Sequence, residues 1–339
     1  MTEESERPTR AEITEDETAL YDRQIRLWGL DAQQRMRNAS ILVAGCGGLS
    51  AETCKNLVLA GIGALTLLDD AKVAEEDLGA NFFLELKDIG SPRALAVSKR
   101  VQTLNPRVAI NVDEGNIADK SEEYFKKFDL VCVCDGDLET LFRVNDICRK
   151  MDKKFYAAAC FGFYGYIFAD LNHHVFIDEW KETKSEETVI QRVKKVQDYV
   201  SLRDALAKTW HGMSARVLRR RSSPIFFGVH ILWIFQQENG CLPTLDDPEH
   251  ISKLKALRDE LLTSKGVDPN FVDDALLEQI ARSARAEISP ACAVVGGMLA
   301  QDILYVLSAK GQPIWNWFAF GGMEGVGIVL RLESGGESN

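Results

Sequence analysis

The stretch ILVAGCGGLSAETCKNLVLAGIGALTLLDD, residues 41–70, constrains the fold more than any other part of the chain. Ile41 to Ala44 form a short, wholly apolar run, the pattern of a strand buried on both faces of a parallel sheet. Gly45-Cys46-Gly47-Gly48-Leu49-Ser50 follows, a near match to G-x-G-x-x-G with Ser50 at the third glycine position. A helical run carrying Leu57, Val58 and Ala60 ends at Gly61-Ile62-Gly63, and Ala64 to Leu68 give a second strand closed by Asp69. In such a βαβ unit the glycines let backbone amides approach a phosphate, and the helix N-terminus adds its positive end. An acid about 20 residues on, the place of Asp69, binds ribose hydroxyls. Gly48 is expected to need a positive φ that a Cβ would strain. On these residues alone an NAD-dependent oxidoreductase stays open, and so does a vestigial turn that only packs helix on strand.

The alternation continues downstream. SPRALAVSKRVQTLNP predicts a helix stopped at Asn105-Pro106, VAINVDEG a strand, FDLVCVCDGD a strand ending in acid, DLETLFRVNDICRKM a helix, and KFYAAACFGFYGYIF one further strand. This order implies a doubly wound α/β sheet. Residues 1–16 read as a disordered acidic tail. Residues 17–180 and 287–335 read as one discontinuous α/β domain, 181–200 as a charged linker, and 201–286 as a helical insertion. NWFAFGGMEGVGIVLRL predicts a closing hairpin.

The formal net charge of −11 argues against a broad nucleic-acid or anionic-membrane surface. The acidic, polar N-terminus lacks the apolar core of a signal peptide. The expectation is therefore a soluble, intracellular chain. Eight cysteines, none in a C-x-x-C pair, argue against a zinc site, and no metal is expected; most sit in apolar runs such as VCVCD and AAACFGF, where cysteine is a small core residue.

Seven segments carry a resemblance that covers almost the whole chain after the tail: YDRQIRLWG, GCGGLSAETCKNLVLAGIG, LLDDAKVAEEDLGANFF, IGSPRA, FGFYGYIF, PACAVVGGMLAQDI and GGMEGVGIV. Together they resemble the activating enzymes of ubiquitin-like modifiers, which pair a catalytic adenylation half with a degenerate one. The resemblance implies a pseudo-Rossmann, ThiF/MoeB-like adenylation-type fold with a helical insertion. The chain is similar to the degenerate, regulatory half. YDRQ-LWG is shared with the branch serving the cullin-modifying ubiquitin-like protein, but length favours the SUMO branch. The implied partner is a catalytic subunit that binds ATP and Mg and carries the acceptor cysteine, SUMO is the implied substrate of the heterodimer, and the implied location is the nucleus, with the cytoplasm.

The degeneracy is legible against the family pattern D-x-D-x-V-x-x-x-N-x-x-R-Q. Asp69 and Val73 are kept, Ala71 replaces the second acid, Asp77 stands in place of the asparagine and Ala80 in place of the arginine. The lysine expected after G-x-P is Arg93, and the acidic element that would position magnesium survives only as Asp135-Gly136-Asp137 followed by Leu138. Added carboxylates repel a triphosphate, so Gly45, Gly47, Gly48 and Asp69 read as a vestigial cradle. The arginine of the family's Y-x-R-Q reaches into the partner's ATP site, which makes Arg23 the residue expected to touch phosphate; Arg26 reads as a solvated surface arginine. His173-His174 reads as a strand end with rings on opposite faces. Arg219-Arg220-Arg221 reads as the solvated end of a helix, or part of a nuclear-import signal.

Overall fold

The computed structural model describes residues 12–184 and 187–333. Ten strands are present among them: β1 Ser40–Ala44, β2 Ala64–Leu68, β3 Ala109–Asp113, β4 Leu130–Cys134, β5 Lys154–Phe161, β6 Tyr164–Asp170, β7 His173–Lys184, β8 Glu187–Asp198, β9 Trp317–Gly321 and β10 Val326–Leu330. Eight build one sheet in the order β10-β9-β6-β5-β4-β1-β2-β3. The five strands β3-β2-β1-β4-β5 run parallel, and β6, β9 and β10 continue antiparallel. The order reverses beside β1, between β2 and β4, which is where an open α/β sheet opens a crevice at its carboxyl edge.

Register follows side-chain alternation. Ile41 pairs with Leu130 and Leu42 with Val131. Leu42, Val131, Phe155 and Phe168 share one hydrophobic cluster, while Ile41, Leu130, Tyr156 and Ile167 belong to a second on the opposite face. The second face is covered by the helices Gly48–Leu59, Arg93–Leu104 and Ser289–Ser308. The last is long and apolar enough to cross a bilayer, but it packs along Gly48–Leu59 and most of it is buried in the protein.

The helical segment expected over 201–286 holds helices from Leu202–Ala207 to Asp274–Ser283. It has no separate core. Phe226, Phe227, Trp233 and Leu262 join the cluster of Tyr166, Phe168 and Trp317 on the sheet, and Trp317 stacks on Tyr166 with ring centroids 5.1 Å apart. The entry to the segment is pinned where Leu202 N donates to Asn145 Oδ1 (2.8 Å), whose Nδ2 donates to the fully buried Asp170 (2.7 Å).

Three sequence expectations change. The stretch over 181–200 is no linker: β7 and β8 pair antiparallel from His173↔Asp198 to Lys184↔Glu187 as a two-stranded ribbon outside the main sheet. Its alternation is masked by charged residues because most of its described side chains from 191 to 196 are exposed. The single strand over 154–168 is a hairpin, β5 and β6, turning at Gly162 and Phe163. Of the tail, residues 1–11 lie outside the described residues; Thr14 caps a helix over Glu15–Leu20 by a capping box with Glu17.

Candidate functional site

The sheet's carboxyl edge carries a cleft of about 440 Å³ lined by Gly45, Gly47, Asp69, Asp77, Ala80, Arg93, Asp135 and Glu287, among others. β1 delivers the glycine turn and β2 delivers Asp69, as the sequence pattern requires. The turn's amides are occupied by the protein's own carboxylates. Cys46 N donates to Asp69 Oδ2 at 2.6 Å. Gly48 N and Leu49 N, at the start of the helix Gly48–Leu59, donate to the two carboxylate oxygens of Glu287, the latter at 3.0 Å. An acid at a helix N-terminus is favoured by the free amides and by the dipole. Glu287 thus takes the position where a phosphate would bind.

Asp69 is committed as well. Besides Cys46, it accepts from Ala71 N (2.9 Å) and from Arg93 Nε (2.8 Å), and Arg93 reaches on to Asp77 at 2.9 Å. The residue at the family's lysine position is thereby consumed in an internal ion pair with the acid at the family's asparagine position. Burial opposes the charge of Arg93, but Asp69 and Asp77 outweigh it and hold the guanidinium protonated. Seven carboxylates against two guanidiniums, Arg93 and Arg285, line the cleft. ATP and Mg do not fit these residues: the amides are taken and the field repels phosphate.

Two glycines have specific reasons. Gly45 has φ +87°, and a Cβ there would run into the carbonyl oxygen of Cys134. Gly48 has an ordinary φ, contrary to the sequence expectation; its constraint is closeness, since a Cβ would lie 2.6 Å from that of Ala80. The alanine at the family's arginine position and Gly48 have become packing partners.

Asp135, recessed in the cleft while its side chain still meets solvent, sits at φ +59°. Burial, then Glu287, and then Asp69 raise its carboxyl to about 6 against the pull of Arg93. A carboxyl raised on folding contributes stability below its unfolded pKa near 4 that is lost as pH climbs through about 6. Asp135→Asn, which tolerates the left-handed backbone, should therefore melt higher than the parent at pH 7.5 and equal it at pH 3.5. A constant difference at both pH values counts against the electrostatic cause.

Arg23 lies away from this cleft. The helix Asp22–Trp28 that carries it is moored through Tyr21, which is buried and whose hydroxyl accepts from Asn105 Nδ2 at 2.7 Å. Arg26 pairs with Asp22 at 3.0 Å. Arg23 is exposed, and among the described residues its side chain has no hydrogen-bond or ion-pair partner. So the structure brings Gly45, Gly47, Gly48 and Asp69 together and leaves Arg23 outside, on the surface.

His173 is exposed, its Nδ1 2.7 Å from Asp198, while His174 is buried and pushed down to about 4 by burial and by Lys154. Arg219, Arg220 and Arg221 form the exposed end of the helix Ala215–Arg221. Of the eight cysteines, all are free thiols and Cys241 alone is only half-buried. Sequence reasoning missed Glu287: it lies 239 residues from Gly48 and, just ahead of Ser289-Pro290, reads as a residue of its own helix start.

Comparison with known proteins gives a consistent result. The ThiF family profile matches residues 21–322. SUMO-activating enzyme subunit 1 of Rattus norvegicus is 39% identical over 337 residues, covering 94% of this chain and 95% of that protein. The Homo sapiens protein of the same name is 38% identical over 94% of this chain and 96% of its own length. SUMO-activating enzyme subunit 1B-1 of Arabidopsis thaliana is 36% identical over 95% of this chain and 98% of its own length.

Proposed function

The chain belongs to the ThiF family, and from that premise we propose that it is the regulatory subunit of a SUMO-activating enzyme. In this reading it pairs with a catalytic subunit that binds ATP and Mg, adenylates the C-terminal glycine of SUMO, and receives the modifier on its own cysteine. The complex works in the nucleus and the cytoplasm. The carrying observation is the pairing of a self-filled cradle with a free arginine: Glu287 and Asp69 occupy the glycine-turn amides, while Arg23 stands exposed on the Y-D-R-Q helix. A chain so arranged has no place for a triphosphate of its own, and its Arg23 guanidinium is exposed on the surface.

The contribution of Arg23 follows from its chemistry. Joining a carboxylate to the α-phosphate of ATP and expelling pyrophosphate builds negative charge around the phosphates, and a guanidinium fork neutralises it through paired N–H donors. Supplied across an interface, it acts as arginine fingers do in phosphoryl transfer. An NAD-dependent oxidoreductase is disfavoured, because the acid that would hold the ribose is bound to Arg93 and to the turn. The names of the relatives favour SUMO over the cullin-modifying protein.

Two measurements test this reading. Purification from the native cell should bring down a second subunit with an intact adenylation pattern and a cysteine domain. Isothermal titration of the isolated chain with Mg-ATP should give no heat of binding up to millimolar nucleotide. A micromolar dissociation constant for the chain alone overturns the non-catalytic assignment.

A further inference from the structure

Beyond the cleft lies a second, smaller chamber of about 80 Å³ that shares Asp135 and Gly136 with it. Its walls include the aromatic rings of Phe161, Tyr166 and Trp233, together with the partly exposed Gln236. Tyr166 is 1% exposed, and its hydroxyl has no hydrogen-bond partner. A buried hydroxyl without a partner costs about 1–3 kcal/mol, and this one belongs to the wall of a cavity. The Asp135 carboxylate makes no hydrogen bond or ion pair among the described residues, while its backbone amide donates to Ala158 O at 2.9 Å. Phosphate-binding chemistry has been cancelled here, whereas the negative field of the cleft persists.

We propose that the cleft and its aromatic chamber bind a primary alkylammonium, the head group entering the chamber between Asp135 and the Tyr166 hydroxyl. Each feature selects this chemistry. An ammonium supplies three donors, matching a carboxylate, a phenol oxygen and an amide oxygen. About 80 Å³ suits an ammonium with a methylene or two better than a quaternary ammonium, since benzene, of similar bulk to the latter, is held by a cavity of about 150 Å³. The acidic outer cleft draws a positively charged arm inward and repels nucleotides. The arm belongs either to a free diamine or to a lysine side chain.

The test is titration of the full chain at low ionic strength with cadaverine, with acetyl-trilysine amide, and with tetramethylammonium chloride, followed by calorimetry. Cadaverine or the peptide should bind with sub-millimolar affinity, and tetramethylammonium should not. Asp135→Asn should weaken binding by about tenfold or more, on the scale of a lost charged hydrogen bond. Tyr166→Phe keeps the ring and should weaken binding several-fold. Asp70→Asn, which removes a charge from the outer cleft, should change it less than twofold. Tighter binding of cadaverine assigns the site to a free amine, and tighter binding of the peptide assigns it to a lysine of a partner. If neither binds, if tetramethylammonium binds equally, or if Tyr166→Phe is silent while all acidic variants weaken alike, the attraction is a diffuse field and the proposal fails. Circular dichroism and melting of each variant separate loss of the site from loss of the fold.

Discussion

Arg23→Ala slows SUMO adenylation by roughly one to three orders of magnitude while leaving the fold and the heterodimer intact. The magnitude is that of a lost charge-stabilising or arginine-finger contact. Stability is spared because the side chain is exposed and makes no hydrogen bond or ion pair among the described residues, whereas the helix itself is held by Tyr21. Arg23→Lys recovers only part of the rate, since a point charge cannot reproduce a planar fork. ATP–pyrophosphate exchange driven by SUMO reads the effect, run with the catalytic subunit saturating so that weakened assembly cannot pass for weakened chemistry. Arg26→Ala is the matched control, a neighbouring arginine already engaged with Asp22. Wild-type exchange by Arg23→Ala, or equal losses in both alanine variants, reduces this subunit to a scaffold.

Gly45→Ala has the opposite signature: stability falls steeply and the rate per assembled dimer holds. The residue sits at φ +87°, where an L side chain is strained by about 1–2 kcal/mol. Its new Cβ would also meet the carbonyl of Cys134, at the end of β4, which is hydrogen-bonded to both β1 and β5 and has little room to move. Overpacking of that kind adds roughly 1–3 kcal/mol, for a loss of about 2–5 kcal/mol in all. Denaturant unfolding should show a lower midpoint with an unchanged slope. Gly48→Ala, opposed by Ala80 rather than by a backbone carbonyl and at an ordinary φ, should cost less. A stable Gly45→Ala dimer without adenylation would return a nucleotide to this cleft.

Which parts of the molecule could be read in advance follows from how local their causes are. The βαβ unit was legible because apolar runs, turn glycines and a terminal acid all lie within thirty residues. Loss of the nucleotide site was legible at Asp77 and Ala80, each a change of charge in a short pattern, and at Arg93, where the charge is kept but the point-like ammonium is exchanged for a planar fork. The ribbon β7–β8 was not, because charged residues interrupt its exposed positions over 192–196 and leave no apolar period to detect. The β5–β6 hairpin hid in an unbroken apolar run, since both strands are buried from Phe155 to Phe161 and from Tyr164 to Asp170. Glu287 had no local signal at all. Its meaning exists only after β1 and the end of the helical segment have come together.

The Glu287 carboxylate also changes the thermodynamics of the subunit. A protein that binds a free ligand gains stability with ligand concentration, about 2.7 kcal/mol at one hundred times the dissociation constant. Such a fold weakens when the ligand runs short. Here the anion at the helix N-terminus is carried by the same chain, so its effective concentration is fixed by covalent connection. Folding of this subunit is thereby uncoupled from the cell's nucleotide pool. It can persist at full stability when nucleotide runs short.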